Sequence, residues 1–504
     1  MVWMTGVNKM KIVLNRDADQ VESFAADELV KYVKKMTGKD ISIHDKVNGE
    51  SINLGTLPVS LKPEIEKLHK DGFIIKSIKD SVYIKGKTSR GTLYGVYEYL
   101  QLLGVRWYFP GEEHEYIPEV DDVILKDLDI AKNPDMNHRG VSIHSGNTAL
   151  KEWIDFAAKT KLNSIDLHSE QRLGEMRKML SSRGLDYGIR RHFFGEVYPP
   201  DEDEMKKSKV NLLEFAKNLP SEIKELFLWP ADKPLTLEKG KSLSDVILEF
   251  MNEMVRKLRT IRPDNRMSFI AYWSTWHAPK YVKPDEGIFL EIAPMFRCFS
   301  HGITDPSCPI NSKDIKPVIE DLVGIFNTDE AHVLGYWLDA SLFGRSRYKD
   351  MTGRIPQIGN ICKDDLQYYK SKGVKNISTF AVGVDEDYLS RFASPMLFHY
   401  PALLWDTDTD IKTQIVDFCE NYYGSRDLAD VFQLNEHTDT NDSSPEKWDE
   451  SSKIYSQDKI TSEEILKNST DDLHIDRLKR LLRELDHMLE WIKGLNIQEE
   501  KNEH

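Results

Sequence analysis

Three acidic residues follow short apolar runs, at positions where a catalytic carboxyl group would be useful. Asp232 comes three residues after Trp229, and Asp339 comes two residues after Trp337. Glu196, in the run Phe-Phe-Gly-Glu-Val-Tyr-Pro-Pro, is the competing position. Hydrolysis of a glycosidic bond needs one carboxyl group to protonate the leaving oxygen and a second to act as nucleophile or to activate water. The pattern predicts Asp232 and Asp339 as the two catalytic carboxyl groups, unless either one caps a helix or pairs with an arginine.

Aromatic and imidazole side chains accompany these acids and suit a polar, ring-shaped substrate. Aromatic faces pack against sugar rings, and imidazoles exchange hydrogen bonds with hydroxyl groups. The residues predicted to bind substrate are His144, His168, His192, Trp229, Tyr272, Trp273, His277, Arg297, His301 and Trp337. Packing in a hydrophobic core is the alternative role for the aromatic residues.

Three of these histidines end successive apolar runs, so their side chains could converge. Together with a carboxylate, His144, His168 and His192 would make a zinc or manganese site. No H-x-H or H-E-x-x-H motif accompanies them. The sequence therefore predicts neither a metal nor another cofactor, and a metal-dependent hydrolase remains an alternative.

Arg297 has two interpretations. A guanidinium group binds a carboxylate or phosphate through two parallel hydrogen bonds, and an acidic sugar would then be a natural ligand. A structural ion pair with an acid at the end of a neighbouring strand is the other interpretation.

The elements that must position these side chains form a regular series. Eight apolar runs recur with helical stretches between them, at 138–144, 163–168, 185–192, 225–229, 267–273, 287–293, 332–337 and 376–382. Strands that alternate with helices pair in parallel, and eight such units favour a closed (β/α)8 TIM barrel over a doubly wound sheet. In such a barrel the chemistry lies at the C-terminal ends of the strands, where the candidate residues stand.

Different patterns flank the predicted barrel, which we place at residues 131–410. Residues 1–130 read as a small α/β domain, with an amphipathic helix at 19–36 that ends at Gly38. Residues 411–504 read as a helical C-terminal region, with helices at 411–422 and 473–495. The polar stretch at 435–460 is expected to form an exposed loop.

Composition excludes several classes of function. The 504 residues are 40% hydrophobic and 30% charged, and the formal net charge is −15. The sequence has no block of lysine and arginine that would bind the phosphate backbone of a nucleic acid. It also has no stretch that is long and apolar enough to span a membrane. The expected partner is a carbohydrate, with neither nucleic acid nor membrane, and a homo-oligomer is compatible with the sequence.

The cysteines and the N-terminus bear on the compartment. The four cysteines form no C-x-x-C pair, so they are expected to be buried free thiols, although Cys298 and Cys308 are close enough to pair in an oxidising compartment. No apolar segment follows a basic start at Met1. The expected location is cytoplasmic.

Several of these segments resemble known families. Residues 26–38 and 89–110, the latter reading Ser-Arg-Gly-Thr-Leu-Tyr-Gly-Val-Tyr-Glu-Tyr-Leu and ending in Val-Arg-Trp-Tyr-Phe-Pro, resemble the N-terminal domain of family 20 hexosaminidases and family 67 α-glucuronidases. Residues 297–301 (Arg-Cys-Phe-Ser-His), 305–311 and 404–424 resemble the bacterial family known as domain of unknown function 4838.

The resemblance implies a front domain, a barrel and a helical tail with a glycosidase ancestry. The Asp-Glu pair of family 20 is absent after the fourth strand, where the chain reads Trp229-Pro-Ala-Asp232-Lys. An α-glucuronidase-like enzyme would have its general acid there, and Asp232 fills that place with the shorter of the two acidic side chains. The resemblance thus implies Asp232 as the general acid and leaves Asp339 as the base or nucleophile. The sequence thus predicts a glycoside hydrolase acting on an oligosaccharide or glycoside, including one with an acidic or N-acetylated sugar. A carbohydrate-binding protein without activity is a further alternative.

Overall fold

A computed structural model shows two compact units. It describes residues 11–46, 50–167, 172–192, 202–230, 242–343, 354–433 and 445–502. The first unit contains the chain up to Asp135 together with Lys151–Asn163 and Gly174–Asp186, and the second contains the remainder. The domain boundaries expected near residues 130 and 410 stay predictions.

The N-terminal part is an α/β structure, as predicted. Its elements are β1 (Lys11–Leu14), α1 (Gln20–Thr37), β2 (Ser42–His44), β3 (Ser51–Leu54), α2 (Lys62–Glu66), β4 (Phe73–Ile78), β5 (Ser81–Gly86), α3 (Ser89–Leu102), β6 (Arg106–Trp107), β7 (Glu115–Tyr116) and β8 (Asp129–Lys132). Six strands form one sheet in the order β2-β1-β3-β5-β4-β8. Asp19 accepts hydrogen bonds from the first turn of α1, and Gly38 ends that helix with a φ of 70°.

The central part is a closed parallel barrel, which confirms the predicted fold. Its elements are β9 (His138–Ile143), α4 (Leu150–Lys159), β10 (Ser164–Leu167), α5 (Leu173–Ser182), β11 (Asp186–His192), α6 (Glu202–Asn218), β12 (Glu225–Trp229), α7 (Leu243–Ile261), β13 (Arg266–Ala271), β14 (Ile288–Ile292), α8 (Lys316–Val323), β15 (His332–Gly335), α9 (Gly359–Ser371) and β16 (Asn376–Phe380). The strands follow chain order, and β16 closes on β9. Each of the eight predicted apolar runs corresponds to one of the barrel strands. Between β13 and β14, where the chain is described throughout, only a short 3₁₀ turn replaces the helix.

The C-terminal part is helical, as predicted, with one correction. Its helices are α10 (Glu386–Arg391), α11 (Met396–Trp405), α12 (Ile411–Tyr423), α13 (Ala429–Gln433), α14 (Pro445–Asn468) and α15 (Asp472–Asn502). The loop expected at 435–460 is wrong for 445–460, which belong to α14. Packing against α15 buries Ser462 and Asp458 of α14. This tertiary packing stabilises α14 although its polar sequence does not predict a helix. No helix among the described residues combines the length and apolar character of a membrane span.

Candidate active site at the C-terminal end of the barrel

A buried ion-pair network lies inside the barrel near the C-terminal ends of its strands. Arg190 on β11 donates to Oδ2 of Asp166 on β10, from Nε at 3.2 Å and from Nη2 at 2.9 Å. Its Nη1 donates to Oε1 of Glu291 on β14. The Nε1 of Trp229 donates to Oε2 of the same carboxylate at 2.8 Å. The network therefore fixes the indole ring at the end of β12.

Asp166 serves as an anchor in this network and not as a proton donor. Asp166 also accepts a hydrogen bond from Ser378 Oγ at 3.0 Å. Burial would raise the pKa of Asp166, but the charges of Arg190 and His138 hold it below its ordinary value. A carboxylate kept ionised in this way orients its neighbours and has no proton to give.

Aromatic rings extend across the end of the barrel above this network. The rings of His192 and Trp229 are 5.3 Å apart, those of Trp229 and Phe380 are 5.7 Å apart, and those of Phe380 and Tyr336 are 5.3 Å apart. The Nδ1–H of His192 donates to the carbonyl oxygen of Pro230 at 2.7 Å, which sets the orientation of the imidazole. We call these four rings the aromatic arc.

Two further aromatic rings are more open to solvent and follow β13 and β14. Trp273 and Phe296 pack edge to face with their ring centroids 4.7 Å apart, and Phe296 is 38% exposed. Trp273 has a φ of 46°, which is the left-handed region that a large side chain rarely adopts. We call this pair the aromatic platform. Backbone strain of this kind concentrates at ligand-binding sites because the surrounding structure must maintain it.

Asp339 lies on the loop that follows β15 and is 7% exposed. Its Oδ1 accepts hydrogen bonds from the backbone N–H of Ser341 at 3.0 Å, from Ser341 Oγ at 2.7 Å and from the backbone N–H of Leu342 at 3.1 Å. This carboxyl group therefore caps the turn that follows it, which is the structural role the sequence left open. Burial nevertheless raises the pKa of Asp339, although the three hydrogen bonds oppose the shift.

Arg297 and Trp337 are buried and contact the same carboxylate, that of Asp365. Arg297 is 1% exposed and forms an ion pair with Asp365 on α9, and its Nε donates to the carbonyl oxygen of Cys298 at 3.1 Å. Trp337 is also 1% exposed, and its Nε1 donates to the same aspartate at 3.0 Å. The acidic-sugar clamp predicted for Arg297 and the stacking wall predicted for Trp337 do not fit this geometry, because their polar groups are occupied in the interior.

The described histidines predicted to bind substrate occupy different surroundings. His144 is exposed after β9, and its Nδ1 accepts from the backbone N–H of Gly146 at 3.1 Å. His277 is exposed and lines a cleft of about 860 Å³ whose walls include residues of α7 and α8. His301 has its Nδ1 3.3 Å from the Sγ of Cys298. Among those predicted histidines that the structure describes, only His192 belongs to the aromatic arc.

Other predicted residues complete the comparison. Tyr272 follows β13 and is 9% exposed, with its hydroxyl 3.6 Å from the Sδ of Met295. Asp232, Glu196 and His168 lie outside the described residues.

Sequence reasoning missed Tyr336, Phe380, Phe296 and the network residue Glu291. A signal existed in the alternation of the strands, since neighbouring residues of a strand point to opposite faces. Tyr336 and Trp337 are neighbours that directly follow β15, and only Tyr336 belongs to the arc. The sequence alone does not predict which of these two aromatic side chains joins the arc at the end of the barrel.

Comparisons with known proteins agree with this fold. Residues 7–99 match the family model described as the glycosyl hydrolase family 67 N-terminus, and residues 230–431 match the model described as domain of unknown function 4838. No curated protein sequence matches the chain.

Several solved structures share the fold at low identity. A family GH115 4-O-methyl-α-glucuronidase with specificity for decorated arabinogalactans has a TM-score of 0.68 at 12% identity, over 96% of this chain and 71% of that chain. CpGH84D has a TM-score of 0.52 at 12% identity, over 98% of this chain and 87% of that chain. A GH138 enzyme targeting pectin rhamnogalacturonan II has a TM-score of 0.51 at 10% identity, over 96% and 69%. The two family-model matches confirm the resemblances drawn from the sequence motifs: one segment matches the glycosyl hydrolase family 67 N-terminus and the other matches domain of unknown function 4838.

Proposed function

We propose that this protein is a glycoside hydrolase whose substrate binds at the C-terminal end of the barrel. The observation that carries the proposal is Asp339, a buried carboxyl group with a raised pKa behind β15. A general acid must hold its proton near the pH at which it works, and burial is how proteins achieve this for a carboxyl group. The three hydrogen bonds to its Oδ1 also fix its direction.

The proposed roles differ from those expected from the sequence. The raised pKa favours Asp339 as the group that protonates the leaving oxygen. Asp232, after β12, then becomes the nucleophile or the base that activates water, and Glu196 is the competing residue for this second role. A separation of about 5–5.5 Å between the two carboxyl groups would give retention, and about 6.5–9.5 Å would give inversion.

The aromatic platform and the aromatic arc support a sugar as the ligand. Trp273 and Phe296 offer open ring surface, and the rings of the arc lie across the barrel end. Apolar faces of sugar rings pack on such surfaces, while the hydroxyl groups take hydrogen bonds from imidazoles. The match to a 4-O-methyl-α-glucuronidase makes α-glucuronides the first substrates to test. β-N-acetylhexosaminides follow, because residues 26–38 and 89–110 resemble the N-terminal domain of family 20 hexosaminidases.

The test is a screen of the purified protein against aryl glycosides, with variants of both proposed acids. We expect Asp339→Asn and Asp232→Asn each to lower kcat/KM by at least about 100-fold, which is the lower limit for loss of general acid–base catalysis. Asp385→Asn is the matched control, because Asp385 also follows a barrel strand and accepts a hydrogen bond from the backbone N–H of Tyr388 at 3.0 Å. Its activity should stay within about threefold of the wild type.

Two results would overturn the proposal. Turnover in Asp339→Asn at the wild-type rate would remove Asp339 from the reaction. Absence of turnover on every glycoside, with tight sugar binding that Asp339→Asn leaves unchanged, would indicate a carbohydrate-binding protein instead.

A further inference from the structure

The loop that follows β14 brings together three side chains with soft ligand atoms. These are Cys298, His301 and Cys308, and their ligand atoms all lie within 4.8 Å of one another. The Sγ of Cys298 is 3.3 Å from Nδ1 of His301. The two cysteines are 7% and 2% exposed, and the imidazole is half-buried. We call these residues the Cys–His cluster.

The spacing of these atoms fits a tetrahedral zinc ion. Zinc binds thiolate sulfur at about 2.3 Å and imidazole nitrogen at about 2.0–2.1 Å, so two sulfurs on one zinc lie about 3.8 Å apart, and sulfur and nitrogen lie about 3.6 Å apart. At 3.3 Å, the Sγ of Cys298 and the Nδ1 of His301 are slightly closer than this sulfur–nitrogen distance, and no two of the three ligand atoms are more than 4.8 Å apart. Small side-chain rotations therefore bring all three ligand atoms to one ion. Two thiolates and one imidazole are also the ligand types that zinc prefers.

A buried asparagine organises the backbone around the cluster. Asn311 accepts a hydrogen bond from the backbone N–H of Cys298 at 2.9 Å and donates to the carbonyl oxygens of Cys298 at 3.0 Å, His301 at 2.9 Å and Gly302 at 3.1 Å. Its backbone N–H points at the Sγ of Cys308 at 3.4 Å. Hydrogen bonds to a thiolate from outside the ligand set are characteristic of metal sites, because they orient the ligand and stabilise its charge. The loop is therefore built around the cluster, since the same side chain holds segments from both ends of the loop.

We propose that the Cys–His cluster binds one zinc ion, with a water molecule as the fourth ligand. The cluster shares no residue with the proposed catalytic carboxyl groups, and zinc binding does not depend on the proposed function. Its role is to stabilise the loop: Arg297, adjacent to the cluster, forms an ion pair with Asp365, and Asp365 accepts from Trp337. The ion would thus support the segment that carries Asp339.

The test measures zinc and thiols in the full-length protein purified without chelator. We expect about one zinc per chain in the wild type and in Cys419→Ala, and less than about 0.1 in Cys308→Ala and His301→Ala. Cys419 is the matched control because it is another buried free thiol, placed on α12. Wild-type protein that holds no zinc after incubation with a zinc salt and desalting would overturn the proposal. Two thiols missing from the unfolded chain would overturn it in favour of a Cys298–Cys308 disulfide.

A second measurement covers the case in which the variants do not fold. Cobalt added to the metal-depleted wild-type chain should give the charge-transfer absorption of cobalt bound to thiolate, together with visible bands of tetrahedral intensity. Zinc should abolish both signals by displacement. A spectrum without thiolate charge transfer would show that these sulfurs are not ligands, whatever the behaviour of the variants.

Discussion

Single residues at the barrel end combine strain, burial and charge in ways that point to function. Trp273 is held at a φ of 46° and is only half-buried, so its conformation is not explained by core packing. Asp339 keeps a raised pKa although its Oδ1 is fully used in a turn. The strained backbone of Trp273 and the burial of the Asp339 carboxyl group each cost folding free energy. Such costs are common at binding and catalytic sites.

Two substitutions at Trp273 separate the ring from the backbone strain. Trp273→Ala and Trp273→Gly both remove the indole, so both should weaken substrate binding to the same degree. Glycine adopts a positive φ without penalty, so the free energy of unfolding of Trp273→Gly should exceed that of Trp273→Ala by about 1 kcal/mol. Denaturant unfolding of the two variants measures the difference. Equal stability would mean that this backbone conformation is not strained.

Contacts between elements show how the N-terminal part holds its helix α3. The Glu98 carboxylate on α3 meets Lys132 of β8 at 2.5 Å and Lys161 at 2.8 Å, and it is 7% exposed. Burial would raise the pKa of Glu98, but the two ammonium groups lower it to about 2. Glu112 also has its pKa lowered to about 2, by hydrogen bonds from Lys31 and Lys35, yet its side chain is 60% exposed.

These two glutamates predict different pH dependence of stability. A carboxyl group with a lowered pKa stabilises the fold above its unfolded pKa, and this stabilisation is lost as the pH falls through the folded value. At pH 7, Glu98→Gln should reduce the free energy of unfolding by about 3 kcal/mol, and the difference from the wild type should close between about pH 4.5 and pH 2. Glu112→Gln should cost less than about 1 kcal/mol because solvent screens an exposed pair. Similar losses in both variants, measured by denaturant unfolding across pH, would contradict this account.

At the scale of the whole molecule, the last helix is tied to a distant part of the second unit. On α15, Glu484 is 3% exposed, and its Oε1 lies 2.8 Å from Nε of Arg354. Its Oε2 accepts from the backbone N–H of Ala393 at 3.2 Å, and Arg480 donates to the carbonyl oxygen of Phe392 at 2.8 Å. The C-terminal helix thus supports the chain that precedes α9 and the chain that follows α10.

Removing this contact should lower the stability of the second unit. Glu484→Ala leaves Arg354 buried without its carboxylate, which costs about 3–5 kcal/mol in comparable buried pairs. Glu490→Ala is the control on the same helix, because its side chain is exposed, and it should change stability by less than about 0.5 kcal/mol. Thermal unfolding checks both variants. A Glu484→Ala variant that melts at the wild-type temperature would show that this contact does not stabilise the second unit.

Much of the fold could be predicted from local patterns. Strands of a parallel barrel are buried on both faces, so each appears as a short continuous apolar run, and β9 to β16 were all visible in this way. The weaker elements were not visible. The strands β3 and β8 are short, and α14 lacks a clear apolar stripe, so their stability comes from partners elsewhere in the chain.

The sequence by itself determined the eight strands and the helices of the tail, because hydrophobic periodicity is a local property of the chain. The tertiary structure decided what each side chain does. It buried Arg297 against Asp365, placed Tyr336 rather than Trp337 in the aromatic arc, and gathered Cys298, His301 and Cys308 into one cluster. These outcomes depend on burial and on contacts between distant residues. Such contacts fix the pKa values, the ion pairs and the ligand geometry. The spacing of residues along the chain does not predict these contacts.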